Sequence, residues 1–296
     1  MKVIVITGPT GIGKTEISIQ VAKRLNGIII NADASQFKKD LNIGTAKINK
    51  EERLKVKHEM LDFLDIDKKF SIYNYQKKVR PLIKECFKKQ IFPILVGGSG
   101  LYIKSTLFDY KLTAESRDHD FEKKYLGFSN QELYDILTKL DKLSSERIHP
   151  NNRRRVLRAL EISEGENKQN QRKNEPKILY ETIFINLTTD RANLYTRINQ
   201  RFEKMISNGW IEEVKTLKEK KVNFNNITEI GYKELNDYLD GNLNYDDCAN
   251  IIKQKTRNYA KRQITWIKNQ FACENIEVNY DDLEETVLKI INIIKK

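Results

Sequence analysis

The sequence predicts an α/β protein: a parallel sheet with helices on both faces, interrupted by an α-helical insertion. Three observations lead there. Short, uninterrupted β-branched runs alternate with longer amphipathic segments, as in βαβ units. Polar clusters at 8–15, 31–36 and 97–100 directly follow apolar runs, at the strand ends where open parallel sheets build their sites. Between residues 113 and 177 the strand signal fades and the chain becomes charged and helical in pattern.

Val3–Thr7 (VIVIT) reads as a buried parallel strand, because both faces must be apolar. Residues 14–25 read as a helix with Ile17, Val21, Ala22 and Leu25 on one face, stopped by Gly27. Residues 28–30 form a second strand, closed by Asn31-Ala32-Asp33. A helix over 75–89 leads to a third strand, 91–96, which runs into Gly97-Gly98-Ser99-Gly100. After the polar stretch GENKQNQRKNEPK the strand pattern resumes at 182–187. From Asp190 onward the chain is mostly helical, with breaks near Gly209, 221–227 and Gly241. The expected division is a core of 1–112 and 178–296 and an insertion of 113–177.

A chain of 296 residues, 39% hydrophobic and 32% charged, is expected to be a soluble globular protein. It has no apolar run long enough for a membrane span, and its strand-like start leaves no room for a signal peptide. Cys86, Cys248 and Cys273 are far apart and form no paired or metal-ligand spacing, which suggests a reducing, cytoplasmic setting. A net charge of +12 fits a polyanionic partner such as nucleic acid. It fits equally a composition rich in Lys and Asn.

GPTGIGKT at 8–15 matches GxxxxGK[ST] in full, after a strand and opening a helix. Gly8, Pro9, Thr10, Gly11, Ile12 and Gly13 form a loop whose backbone N–H groups can turn toward an anion, aided by the helix N-terminus. Lys14 adds a full charge, and the Thr15 hydroxyl can ligate Mg²⁺. The loop specifies phosphates without naming the rest of the molecule. A nucleotide hydrolase would place a carboxylate at the end of another apolar strand, but IFPILV ends in GGSG and no acid follows until Asp109. Asp33 ends the 28–30 strand instead, where it suits a general base or acceptor toward a second substrate. The alternative is a cap for the following segment. Ser99 is a hydroxyl at the same cleft or an ordinary turn residue.

Taken together these segments resemble the tRNA dimethylallyltransferases (tRNA isopentenyltransferases) over nearly the whole chain. The resemblance rests on GPTGIGKT, NADASQ, LNIGTAK (41–47), KHEMLD (57–62), VGGSGLYI (96–103) and RIHPNNRRRVLRALE (147–161). It continues through RINQRFEKMISNGWIEEV (197–214), IGYKEL (230–235) and TRNYAKRQITW (256–266), in order. Four positions depart from the family pattern. Ala34 stands for its Ser, Lys38 for its Tyr, Ser99 for its Thr and Asn152 for its Asp.

The resemblance implies a P-loop NTPase-like core with a helical insertion, and Mg²⁺-assisted transfer of a dimethylallyl group from dimethylallyl diphosphate. The acceptor is N6 of the adenosine just 3′ of the anticodon in tRNAs reading codons that begin with U. It makes Asp33 the acceptor for the N6 amine. It assigns the departing diphosphate to the loop amides, Lys14, Thr15 with Mg²⁺, Ser99 and Arg201, the last otherwise readable as a solvated helix charge. The base must leave the anticodon-loop stack to react. The tRNA anticodon stem-loop is then expected at Asp33, Ala34, Ser35, Gln36 and Ser99. In the insertion the candidates are Arg117, Arg154, Arg155, Val156, Leu157 and Arg158, beside Arg153. Arg257, Lys261, Arg262 and Gln263 with Trp266 form either an RNA-facing stripe or a packed helix face. The expected particle is a monomer without a membrane partner. Three other readings compete: a small-molecule P-loop kinase, an adenylate isopentenyltransferase, and a catalytically silent RNA-binding protein.

Overall fold

In the computed structural model, which describes residues 1–110, 112, 119–164 and 176–296, the chain forms two compact units. One is Met1–Phe108 with Ile178–Lys296, the other Asp109–Lys177. The first contains a six-stranded sheet in the order β3-β2-β4-β1-β5-β6. All neighbours run parallel. The strands are β1 (Val3–Thr7), β2 (Gly27–Asn31), β3 (His58–Glu59), β4 (Phe92–Val96), β5 (Thr182–Thr188) and β6 (Glu274–Glu277).

The alternation along β1 explains the two layers. Ile4 and Ile6 point to one face and pack with α1 (Lys14–Leu25) and α13 (Leu283–Lys295). Val3 and Val5 point to the other and join α3 (Ile72–Lys88), α4 (Gly100–Leu107) and the distal half of α12 (Tyr245–Gln270). Each face buries an apolar set, so the central strands β1, β2 and β4 carry no polar alternation. A separate helical core gathers Phe202 and Met205 of α9 (Arg191–Ser207) and Trp210 of α10 (Trp210–Glu219). Tyr232 of α11 (Tyr232–Leu239) and Cys248 of α12 complete it.

Gly27 does not stop α1. Asn26 does, in the left-handed conformation at φ +51, with its N–H on the Ala22 carbonyl. Gly27 opens β2, where a Cβ would lie 2.7 Å from Ile94 Cδ1. The expected helix over 75–89 begins at Ile72, because Ser71 caps it through the Asn74 N–H. β3 and β6 escape sequence reading: two and four residues are too short for a periodicity. Both are edge strands held by the ladder of a neighbour.

The second unit, in its described residues, holds α5 (His119–Lys124), α6 (Asn130–Leu140), α7 (Lys142–Ser145) and α8 (Arg153–Glu164). Its own core is Tyr125, Leu133, Leu137, Val156, Leu157 and Leu160. Ser129 and Glu132 close a capping box on α6. Asn152, where the family pattern has Asp, accepts from Arg155 N at 3.4 Å at the start of α8. Asn and Asp serve such a position equally.

All three cysteines are free, and burial pushes the Cys248 and Cys273 thiols up to about 11. Among the described residues no helix is long and apolar enough to cross a membrane.

The turn after β4 has no space for side chains. A Cβ on Gly97 would stand 2.3 Å from the Ala32 carbonyl carbon and oxygen. Neither backbone atom can move without breaking the β2–β4 ladder. Gly97→Ala is expected to destabilise the protein by about 3 kcal/mol, the upper range for overpacking. A lower urea midpoint at unchanged m-value is the readout.

Candidate active site

The sheet order makes β2, β4 and β1 adjacent, so the loops after them converge. Hydrogen bonds sew the convergence together. Thr7 Oγ1 donates to Gly97 O at 2.9 Å. Ala32 N donates to Val96 O at 2.7 Å, and Ser99 N to Ala32 O at 3.2 Å. The three polar clusters seen in the sequence therefore form one locus.

The phosphate loop owes its path to Gly8 (φ +146) and Gly13 (φ +100). At Gly8 a Cβ would also meet Leu187 O at 2.8 Å. Other elements hold the loop from outside. Gln263 Oε1 of α12 accepts from Thr10 N at 2.8 Å, and Arg197 Nε of α9 donates to Gly11 O at 3.1 Å. Arg197 also lies over the Tyr280 ring, 3.8 Å from its centroid. Pro9 and Ile12 complete the loop, with Ile12 wholly buried.

Lys14 Nζ donates to Gly8 O and Pro9 O, both at 2.9 Å. Desolvation of the ammonium lowers its pKa to about 8, Asp33 opposes that shift, and Arg201 adds to it. Arg201 Nη1 donates to Thr10 Oγ1 at 3.2 Å. Burial lowers the Arg201 pKa, again against the pull of Asp33. Two cations and one carboxylate thus share a poorly hydrated space. Thr15 is exposed in the first turn of α1, and its hydroxyl has no protein partner among the described residues. A hydroxyl beside a bound diphosphate suits Mg²⁺, which keeps most of its water and takes the remainder from substrate oxygens. No cluster of three acidic, His or Cys ligands exists among the described residues.

Of the two readings the sequence left open for Asp33, the structure shows the cap and leaves one oxygen for the other. Its Oδ1 caps the short 3₁₀ turn Ala34–Gln36, accepting from Ser35 N at 3.2 Å and Ser35 Oγ at 2.7 Å. Its Oδ2 carries no protein hydrogen bond among the described residues. The capping bonds orient the carboxylate, and the other oxygen is available for chemistry. Ser99 Oγ accepts from Ala34 N at 3.3 Å, a backbone bond indifferent to the side chain at 34. Gln36 turns away to the Thr45 and Ala46 carbonyls, at 3.3 and 3.2 Å. Its side chain supports the loop, and it also lines the smaller pocket beside Lys14, Thr15 and Asp33.

Beside these groups lies a cavity of about 340 Å³. Thr10, Asp33, Ser99 and Arg201 line its polar side, and Ile198, Phe202, Met205 and Trp210 its apolar side. Tyr259 and Arg262 of α12 also line it. Burial, then Asp33, pushes the Tyr259 phenol up to about 12, so it remains a neutral donor. Lys38, a departure from the family pattern, pairs with Glu229 at 3.4 Å, and Glu229 lines the cavity.

The second unit divides its predicted residues. Arg154 and Arg155 are exposed, without a side-chain partner among the described residues. Arg158 pairs with Glu161 at 2.7 Å. Arg153 donates to Phe128 O at 2.6 Å and Tyr125 O at 2.7 Å, holding its own unit together. Val156 and Leu157 are corrected: the residues are 0% and 8% exposed and their side chains pack in that unit's core rather than toward a nucleic acid. Helical spacing puts them on the face opposite the exposed arginines. Arg117 lies outside the described residues.

The C-terminal stripe splits as well. Gln263 and Trp266 are packed, the latter where a Cβ on Gly100 would come within 1.9 Å of its ring. Arg257 donates to Asn199 Oδ1 at 3.1 Å, and Arg262 faces the cavity. Sequence reasoning gave Gln263 no role at the loop. Its signal was present: a polar residue in register with buried Ala260 and Ile267 on one helix face.

Comparison with known proteins adds the following. The family model described as IPP transferase matches residues 36–270. A tRNA dimethylallyltransferase of Anoxybacillus flavithermus is 44% identical, covering 99% of this chain and 96% of its own length. That of Bacillus subtilis is 43% identical over 90% of this chain and 88% of its own. The crystal structure of a tRNA isopentenylpyrophosphate transferase from Bacillus halodurans superposes with TM-score 0.75 at 37% identity, covering 99% and 95%. A eukaryotic dimethylallyltransferase acting on tRNA gives TM-score 0.83 at 27% identity, covering 99% of this chain and 77% of that one.

Lys14 makes anion binding pH-dependent with a definite sign. Its pKa is depressed in the free protein, so above pH 8 the amine is neutral and must take up a proton when a diphosphate binds. The dissociation constant of an alkyl diphosphate, which is itself fully ionised in this range, is expected to rise with pH between about 8 and 10, by up to about tenfold per unit. Calorimetric titration in buffers of different ionisation enthalpy would detect that proton. A flat profile would refute the assignment.

Proposed function

The chain belongs to the IPP transferase family, and on that premise we propose that it transfers a dimethylallyl group to tRNA. The donor is dimethylallyl diphosphate, and the acceptor is N6 of the adenosine 3′ of the anticodon in tRNAs reading codons that begin with U. One observation carries this reading over a kinase or hydrolase. The cavity that holds Asp33 also reaches Arg201 and Thr10 of the phosphate loop, while β4 ends in Gly97-Gly98-Ser99 with no carboxylate to organise a nucleotide-bound metal.

The chemistry follows from the groups present. The loop amides, Lys14 and Arg201 bind the diphosphate. As the allylic C–O bond breaks, its electron pair leaves with the diphosphate, and these fixed donors stabilise the growing charge. The Thr15 hydroxyl would hold Mg²⁺ together with the diphosphate, and the ion would supply further neutralisation. The N6 lone pair of adenine is delocalised into its ring, so positioning is the protein's main contribution. Asp33, with Oδ1 fixed by Ser35, directs Oδ2 to the amine and takes the proton released as the C–N bond forms. The apolar side of the cavity, Ile198, Phe202 and Met205, suits a five-carbon prenyl chain and keeps water from the allylic centre. Arg154 and Arg155 suit RNA phosphates.

The direct test is incubation with labelled dimethylallyl diphosphate and either unmodified tRNA or AMP, with ATP and candidate small molecules in parallel. Label is expected in tRNA alone; ATP turnover without prenyl transfer would sink the reading. Asp33→Asn keeps the cap and removes the base, so kcat is expected to fall 10²–10⁴-fold, the usual worth of a general base. tRNA affinity should change less than about threefold. Replacing Arg154 and Arg155 by Ala is expected to weaken binding of all tRNAs alike. The slope of log K against log salt should shrink by about 0.7–0.9 per arginine lost. An unchanged slope would remove both from the RNA surface.

A further inference from the structure

The loop at 41–47 supplies Gly44 and Thr45 to the cavity wall, and its attachment is unusual. Glu213, on α10, accepts hydrogen bonds from three consecutive backbone N–H groups of that loop. Oε2 takes Asn42 N at 3.0 Å and Ile43 N at 2.8 Å. Oε1 takes Gly44 N at 3.4 Å and the Tyr232 hydroxyl of α11 at 2.7 Å. Trp210, three residues earlier on the same helix face, seals the joint. A Cβ on Gly44 would lie 2.2 Å from its Nε1, and one on Gly231 2.2 Å from its Cη2. Burial raises the Tyr232 pKa well above its ordinary value, so the phenol stays a donor.

The rest of the loop is tied to the sheet side. Gln36 holds the Thr45 and Ala46 carbonyls. Lys47 Nζ donates to Lys38 O at 2.6 Å, Asn42 Oδ1 at 3.0 Å and Asp62 Oδ1 at 2.8 Å. The loop thus spans two bodies, the strand ends with Asp33 and the helical core with α10 and α11. Glu213 is its principal bond to the second.

We propose that Glu213 is a positioning residue for the acceptor base: by fixing the backbone of residues 42–44 it sets the cavity wall against which the base docks beside Asp33. The proposal rests on the base entering this cavity, as the proposed function requires. A carboxylate suits the task as no amide can. Four donors converge on it, so Glu213→Gln would point an NH₂ group at N–H donors whichever way the amide turned. A wall displaced by about 1 Å costs of the order of 10²-fold in a reaction governed by positioning.

The test combines two independent readouts on the full chain: amide hydrogen exchange at residues 42–44, and kinetics with an anticodon stem-loop. Glu213→Gln is expected to lower protection at those three amides at least tenfold. It should also raise KM for the stem-loop about tenfold or lower kcat by that factor, with KM for dimethylallyl diphosphate within twofold. Tyr232→Phe, which removes a single bond, should move the same quantities less, and the double variant should fall short of the product of the two. Protection lost with stem-loop kinetics unchanged would overturn the proposal. So would a parallel rise in both KM values, the mark of general loosening, or protection retained in Glu213→Gln. If Glu213→Gln does not fold, Tyr232→Phe and Glu213→Asp take its place under the same criteria. A wild type that binds the stem-loop without transferring label refutes the function reading alone, and the stem-loop dissociation constant then replaces KM. One that neither binds nor transfers overturns both.

Discussion

Everything at the site depends on how closely backbone approaches backbone after β4. Gly97 lies against the Ala32 peptide, Gly98 under the Gln263 amide and Gly100 under the Trp266 ring. With side chains absent from these points, the ends of β2 and β1 and the flank of α12 can meet at van der Waals distance. Asp33, the phosphate loop and the cavity become neighbours as a result. The glycines of the GGSG run are packing residues at a three-way junction.

Much of the architecture is legible because both faces of the sheet are buried. VIVIT and the isoleucine run before Asn31 read as strands covered on both faces, and the phosphate-loop pattern fixes the turn between the first strand and its helix. Legibility ends where tertiary contacts decide. β6 exists because β5 offers it an edge, and Ile276 is its single apolar residue, with Val278 just beyond its end. Asn26 ends α1 by adopting a left-handed conformation, and Gly27 is required by Ile94, a neighbour 67 positions away.

The site shows the same boundary. Residues whose chemistry is local, such as Lys14, Thr15 and Asp33, could be named from motif and strand position. Residues that hold the site through another element could not. Gln263 reaches Thr10 from 253 positions away, and Glu213 reaches Ile43 across 170. The reverse error came from Val156 and Leu157. A motif stretch was carried over whole, although a helix of 3.6 residues per turn sends one adjacent pair outward and the next inward, and those two belong to the core beneath the exposed Arg154 and Arg155.

The continuity of α12 has a consequence for how this sequence can change. One uninterrupted helix of 26 residues, about 39 Å long, places Cys248 and Ile252 in the helical core, Tyr259 at the cavity and Gln263 on the phosphate loop. These contacts occupy fixed angles on a single rod. Inserting or deleting one residue between Ile252 and Gln263 would rotate everything downstream by about 100°. Trp266 would leave its glycine seat and Thr10 would lose its partner, even if every side chain were kept. Along this segment the number of residues is constrained more tightly than most of their identities, so substitutions can accumulate where insertions and deletions cannot.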